Sequence, residues 1–372
     1  MVILYFSLTL YCTLKMDKRL WGLGMGILAI GLRFLMGFSP WLVETLYSRG
    51  IFKLIRLILD SVHWILPFST LYLLVGGLMI ALARGVRKWT ASQRSFTGKV
   101  GQLAFTALSA MGWIIFLFLF MWGYNYGRIP LATQLNIAPQ PLKLATIVEE
   151  LATRQTKLIN VRSSIPAANA DSSFTPADFP HDMVEHLRKA LENQLVELGY
   201  PATGFPTIRS DYPKGILWGF GAIGFYNPFT GECNVDPAVH PIDRPYVIAH
   251  ELAHAYGFGD EGTCNFLAYL TCKNSNHPFI QYAGIFNYWQ YLFYSYRRAD
   301  PENFVKYFEV LPTGLKTDVR AIEANNAAYP DFIPDNFRIA TYDAFLKSQG
   351  VTDGYASYNQ VVMLVHAWEN RR

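Results

Sequence analysis

Three stretches in the first third of the chain restrict its architecture more than any other feature. Ile65 to Ala83 and Leu103 to Trp122 each run for about 20 residues without a charge, and Trp21 to Phe38 is nearly as apolar, broken only by Arg33. Hydrocarbon offers no water to unpaired backbone groups, so such segments cross a bilayer as helices. The competing reading is a set of helices buried in a soluble core; three in series favour spanning. Arg33 lies near the end of its stretch, where its guanidinium can reach the interface. Residues 1–14 are also apolar and open the option of a fourth crossing, while Met16-Asp17-Lys18-Arg19 reads as an alternative start.

Charge gives this membrane part a direction. Arg84, Arg87, Lys88, Arg94 and Lys99 lie between the second and third stretches with no acid to offset them, and Lys15, Lys18 and Arg19 flank the first. Basic links stay on the cytoplasmic side. The expected topology is an inside amino terminus, three crossings and an outside carboxy-terminal domain. Residues 39–63 mix Trp41, Leu42, Leu46, Ile51, Phe52, Ile55 and Ile58 with Glu44, Arg49, Lys53 and Arg56. That pattern suits a helix lying on the membrane surface or one packed against the following domain.

Beyond the third stretch, Tyr124 to Pro141 reads as a juxtamembrane linker, giving a membrane part of 1–123, a linker of 124–141 and a soluble domain of 142–372. Helical spacing runs through Leu144, Ile147, Val148, Leu151, Leu158 and Ile159, and again through Met183, Leu187, Leu191, Leu195 and Leu198. Short apolar runs at Ile216 to Trp218, Ile223 to Tyr226 and Cys233 to Val235, separated by Gly, Asn and Pro, read as strands of a small hairpin or sheet. From Glu261 onward the chain reads as helical, with caps at Asp260 and Asp300. The fold class expected is α+β, mainly α, with three amino-terminal transmembrane helices before the domain. Four cysteines make no disulfide framework in 372 residues. Cys264 and Cys272 sit too far apart on one helix to bridge, and Cys233 either pairs with one of them or stays free.

The chemistry concentrates in His250-Glu251-Leu252-Ala253-His254. On a helix the two imidazoles stack one turn apart and can grip a single zinc ion, while Glu251, about 100° round, can act as general base on a metal-bound water. Asp243 and Pro245 supply a helix start, and Gly257 and Gly259 a stop. A third ligand must come from beyond that stop, where Asp260 and Glu261 compete. Gly224, Phe225, Tyr226 and Asn227 form the strand expected to pair with an extended peptide substrate. His240, His277 and His366 read as structural or surface histidines. A hydrophobic segment as short as Pro245 to Gly257, flanked by charges, excludes an intramembrane protease.

Around these residues the chain resembles a family of bacterial membrane proteins, domain of unknown function 3810. The resemblance is carried by Ser39-Pro40, Glu44, Tyr47-Ser48, Pro67-Phe68-Ser69, Trp122 to Tyr126, Asn227 to Glu232 and the block His250 to Cys272. It implies a membrane-tethered, zincin-like metalloprotease domain. It also favours Glu261 over Asp260 as ligand, since the family pattern is acidic at the first position and often basic at the second; Thr263 departs from that pattern. Tyr358, at a recurrent family position, is implied as a hydrogen-bond donor to an oxyanion. The expected function is a zinc metallopeptidase anchored in the bacterial inner or plasma membrane, its catalytic domain extracytoplasmic. Its partners would be the lipid bilayer and a peptide or protein substrate of unspecified identity, with no nucleic acid. The alternatives are a catalytically inactive scaffold module of the same fold, or a zinc hydrolase of a non-peptide amide in the cell envelope.

Overall fold

The structure, a computed structural model, describes residues 18–371. The apolar run at 1–14 and the alternative start at Met16 lie outside the described residues. The described chain is mainly helical with one small sheet.

Helix α1 (Lys18–Gly37) leads into three abutting helical pieces: α2 (Pro40–Leu42), π1 (Val43–Ile51) and α3 (Phe52–Ile65). After a turn come α4 (Leu71–Ala91) and α5 (Phe96–Met121). Two described helices, not three, are long and apolar enough to cross a membrane: α1 and α5. The stretch Ile65 to Ala83 fails as a single element because Pro67 holds Leu66 extended and ends α3 at Ile65. The next helix starts at Leu71 and is uncharged only to Ala83, about 20 Å at 1.5 Å per residue, before Arg84, Arg87 and Lys88 enter it.

Helices α1 and α5 run parallel. Arg19 lies over the Phe105 ring, Gly22 meets Ser109, Gly26 meets Gly112, and Arg33 reaches Gly123 O at 3.1 Å. Their backbones touch through glycine: a Cβ on Gly112 would stand 2.1 Å from Gly22 O, and one on Gly26 2.7 Å from the Gly112 Cα. Such small-residue contacts let helices associate where the surroundings are as apolar as the side chains. Gly112→Leu is therefore expected to cost about 1–3 kcal/mol of overpacking and lower the thermal midpoint in detergent. Gly24→Leu, which faces open space, should leave it unchanged.

The remaining helices build the domain. After the short α6 (Leu131–Gln134), helices α7 (Leu144–Ser163) and α8 (Met183–Glu197) follow the expected spacings, with Leu151, Leu158, Leu187, Leu191 and Leu195 buried. The sheet has strands β1 (Ile208–Arg209), β2 (Gly224–Tyr226) and β3 (Cys233–Val235) in the order β1-β3-β2. Strand β3 pairs parallel to β1 and antiparallel to β2 in the register Gly224↔Val235, Phe225↔Asn234 and Tyr226↔Cys233. Ile216 to Trp218 is not a strand but a helical turn, Ile216–Gly219. Gly215 enters it with φ +80°, and the Asp236 carboxylate accepts the Gly215, Leu217 and Trp218 N–H groups, capping the turn.

Three buried helices follow: α9 (Arg244–Ala255), α10 (Glu261–Lys273) and α11 (Pro278–Ala299), packed on one another and on α7 and α8. The expected caps are present, with Asp260 accepting the Thr263 N–H and Asp300 the Asn303 N–H. Helix α12 (Asp335–Ser348) lies near the surface with Leu346 as its one buried side chain, and the chain closes with a 3-10 turn (Gly354–Asn359) and α13 (Gln360–Glu369). Cys233, Cys264 and Cys272 are buried free thiols.

Candidate metal centre

Pro245 in the first turn of α9 and Gly257 beyond its last turn fix that helix as the spacing predicts. Gly257 adopts φ +87°, a left-handed conformation that costs a side-chain-bearing residue. A Cβ there would also stand 2.9 Å from the Phe52 ring and 3.1 Å from Asn125 Oδ1. The reversal returns the chain to α10, whose first residue is Glu261.

Three side-chain atoms converge between these helices. His250 Nε2 and His254 Nε2 are 3.1 Å apart, and Glu261 Oε2 lies 3.1 Å from the first and 3.4 Å from the second. All three residues are buried, and Glu261 Oε2 has no hydrogen-bond donor. The tautomers turn ring lone pairs inward. His254 Nδ1 is 2.8 Å from the Phe258 carbonyl, which can only accept, so Nδ1 carries a proton. His250 Nδ1 is 2.8 Å from Asn265 Oδ1, and Asn265 Nδ2 donates to the Tyr358 carbonyl at 3.2 Å, which fixes the amide's orientation. Both Nδ1–H groups donate outward, so both Nε2 atoms turn toward Glu261. Such outer partners orient metal-ligating imidazoles. His250, His254 and Glu261 are thus the residues able to hold a metal ion here.

The electrostatics agree. Burial drives the Glu261 carboxyl upward, but the charge of His254, with His250 beside it, outweighs it and holds it well below the usual carboxylate range. Burial drives His254 downward, and the neighbouring Cys264 thiol and Glu261 carboxylate more than reverse this, raising it well above the ordinary imidazole value. The triangle demands positive charge, a proton if no metal is bound. Metal uptake should therefore displace that proton, and apparent affinity should fall about tenfold per unit as pH drops while His254 is protonated in the metal-free chain. Calorimetric titration in buffers of different ionisation enthalpy reads the released proton directly.

Glu251 stands beside this triangle against β2: a Cβ on Gly224 would meet Glu251 Oε1 at 2.7 Å. Its Oε2 is buried without a hydrogen-bond donor, and burial raises its pKa despite the two histidines. Strand β2 is the sheet edge beside it. Because Asn227 N bonds Glu232 O and Asp236 N bonds Ile223 O, the ladder uses alternate residues, and the backbone groups of Gly224 and Tyr226 turn to the open side. The Phe225 backbone pairs with Asn234, the Tyr226 ring packs inward against Trp122, and Asn227 Oδ1 accepts the Phe229 N–H in the following turn.

The structure separates the two acids: Glu261 meets the histidines, while Asp260 turns away to cap α10, its Oδ2 2.6 Å from Thr263 N. Tyr358 is close by, its ring parallel to that of His250 with centroids 6.4 Å apart. The Tyr342 hydroxyl donates to Glu261 Oε1 at 2.6 Å. His240 and His366 stay apart, His240 bonded to the Ile242 N–H and His366 to Glu150.

A family model described as "Protein of unknown function (DUF3810)" matches residues 47–366. The chain belongs to this family. No curated protein and no solved structure matches it. The DUF3810 match begins inside π1, so it takes in α5 and the helical segment before α4 together with the centre.

Several residues that carried the resemblance prove to hold this centre in place. Trp122 Nε1 donates to His254 O at 2.9 Å. Arg128 donates to Gly257 O at 3.0 Å and to both Glu44 carboxylate oxygens, at 2.7 and 2.9 Å. Ser48 donates to Asn125 Oδ1. The start of the stretch read as a linker is therefore buried beneath the metal turn, with Tyr124 and Asn125 almost fully covered. The sequence alone gives no role to Asn265, although it stands inside the block His250 to Cys272, nor to Arg128. Tyr342 carried no signal at all: it lies 81 residues from Glu261 in a helix with weak periodicity.

Proposed function

We propose that this chain is a membrane-anchored zinc metallopeptidase. The observation that carries the reading is the triangle of His250 Nε2, His254 Nε2 and Glu261 Oε2, with edges of 3.1 to 3.4 Å. Ligand atoms at about 2.0–2.1 Å in tetrahedral coordination stand about 3.3 Å apart, the spacing of a zincin-like site with two imidazoles and one carboxylate. Bound zinc would polarise a scissile carbonyl and acidify a water molecule.

The chain's own residues do the rest. Glu251, with a raised pKa and an unpaired oxygen, accepts the water's proton and returns it to the leaving amine. The open backbone groups of Gly224 and Tyr226 hold an extended peptide alongside it, and Tyr342 fixes the Glu261 carboxylate. Helices α1 and α5 supply the anchor. Both end at the domain, and the basic residues 84–99 lie toward the opposite end, which supports a cytoplasmic position for them and an extracytoplasmic one for the domain, in the bacterial plasma membrane.

Burial of the triangle, with His250 and His254 each 8% exposed, favours a second reading in which the domain binds without turnover. One substitution separates the two. Glu251→Gln is expected to keep metal and fold while lowering hydrolysis about 10²–10⁴-fold. Cells producing either form are compared by labelling new protein amino termini. Peptides seen with Glu251 and absent with Gln establish the peptidase; identical profiles at equal metal content would falsify it and leave the binding module.

A further inference from the structure

The helical segment α2–π1–α3 is amphipathic the wrong way round for a water-facing helix. Its charges point into the protein: Glu44, Arg56, Asp60 and His63 are buried against the domain. Arg56 donates to Gly231 O at 2.7 Å and pairs with Asp60, which accepts the Phe205 N–H at 2.7 Å. The outward face of α3 carries Leu54, Leu57, Ile58, Val62, Trp64 and Ile65, with no charge among them. Leu54 is 64% exposed, Ile58 65% and Trp64 81%. Trp41 and Leu46 continue the same apolar surface along α2 and π1. Water would penalise each such side chain by about 1.5–3 kcal/mol relative to burial.

What covers this face follows from its neighbour. Tyr47 of π1 donates to Phe120 O at 2.8 Å, so the segment crosses α5 at its last turn, where that helix enters the domain. The domain lies on the polar side of the segment, and the apolar body of α5 extends away on the other. We propose that α2–π1–α3 is seated in the interface of the lipid bilayer, with Trp41, Leu54, Ile58 and Trp64 in the acyl region, and that the segment forms the floor of the metal centre. The Phe52 side chain touches the turn at Gly257 and Arg56 approaches the Tyr226 hydroxyl, so one helix diameter, about 10 Å, separates the centre from lipid. An extended chain covers that height in about three to five residues. The substrate class is then the juxtamembrane segment of a membrane-anchored polypeptide, a statement that rests on the peptidase reading, whereas the seating does not.

The test uses the full chain, with Cys12→Ser and the three buried cysteines kept, reconstituted in phosphatidylcholine–phosphatidylglycerol vesicles. Single cysteines at Leu54, Ile58 and Trp64, and at exposed Lys189 as an aqueous control, carry an environment-sensitive fluorophore. The three outward positions are expected to emit to the blue of the control and to be quenched at least about threefold more by an acyl-chain nitroxide than by a water-soluble quencher. Emission and quenching equal to Lys189→Cys would overturn the seating. So would blue emission without lipid quenching, which identifies a protein partner or a second copy as the cover. The substrate class is read from the Glu251-dependent amino termini: they should fall within about five residues of a spanning helix. Glu251-dependent termini far from any membrane span would sink the substrate class and spare the peptidase; no Glu251-dependent termini would sink the peptidase while the depth measurement still decides the seating.

Discussion

Full-length chain purified in detergent is expected to carry close to one equivalent of zinc, and His254→Ala to carry almost none. Zinc is bound in small structural sites with about 10–16 kcal/mol, so removing one of three protein ligands should cost about 3–5 kcal/mol, a factor of roughly 150 to 5,000. Two oriented nitrogens and an unpaired carboxylate oxygen meet at 3.1 to 3.4 Å, so the loss is of a built ligand and not of a surface group. Asn265→Ala removes only the orientation of His250 and should weaken binding about 10–100-fold. Asp260→Asn should retain metal, because Asp260 caps α10 and does not face the histidines. Equal zinc in the native chain and in His254→Ala, measured by atomic emission after dialysis, would remove the metal centre from the account.

The second large effect lies away from the metal. Asp60→Ala is expected to destabilise the chain by about 3–5 kcal/mol, because it leaves the Arg56 guanidinium buried and uncompensated. In a chain of this size that is a fall of roughly 4–6 °C in the thermal midpoint. Asp60 also accepts the Phe205 N–H, so two groups lose their partner together. Ile58→Ala, two residues away on the outward face, should change the midpoint in detergent far less, since it buries no polar partner. Thermal unfolding followed by circular dichroism at fixed detergent concentration checks both.

The metal helix was legible in the sequence because all its determinants are local: two histidines at helical spacing, Pro245 in the first turn and Gly257 after the last. The α7 and α8 helices were legible for the same reason. Helix spacing alone does not choose between Glu261 and Asp260, since adjacent residues at a helix start differ only in which way the helix turns them; the family resemblance points to Glu261, the acid that faces the histidines. Ile216 to Trp218 was misread because the group that makes it helical, the Asp236 carboxylate, is far along the chain. The stretch from Ile65 was read as one span because its hydropathy is continuous, while the break depends on Pro67 and on Glu232, which accepts the Thr70 N–H and the Ser69 hydroxyl at 2.9 Å each. Motif residues such as Glu44 and Trp122 were visible as letters of a family pattern; that they brace the metal turn emerges only when the chain is folded.

Trp122 sets one further condition on this molecule. It follows directly on the last residue of α5 and its indole holds the carbonyl of His254. With no flexible segment between them, the end of α5 and the end of the helix that bears both histidines are tied in position. Cutting the chain at residue 124 removes Trp122 and the Arg56–Asp60 pair together, so in a fragment of 124–372 the His254 carbonyl loses its indole donor and the histidines lose the helix packed beneath them.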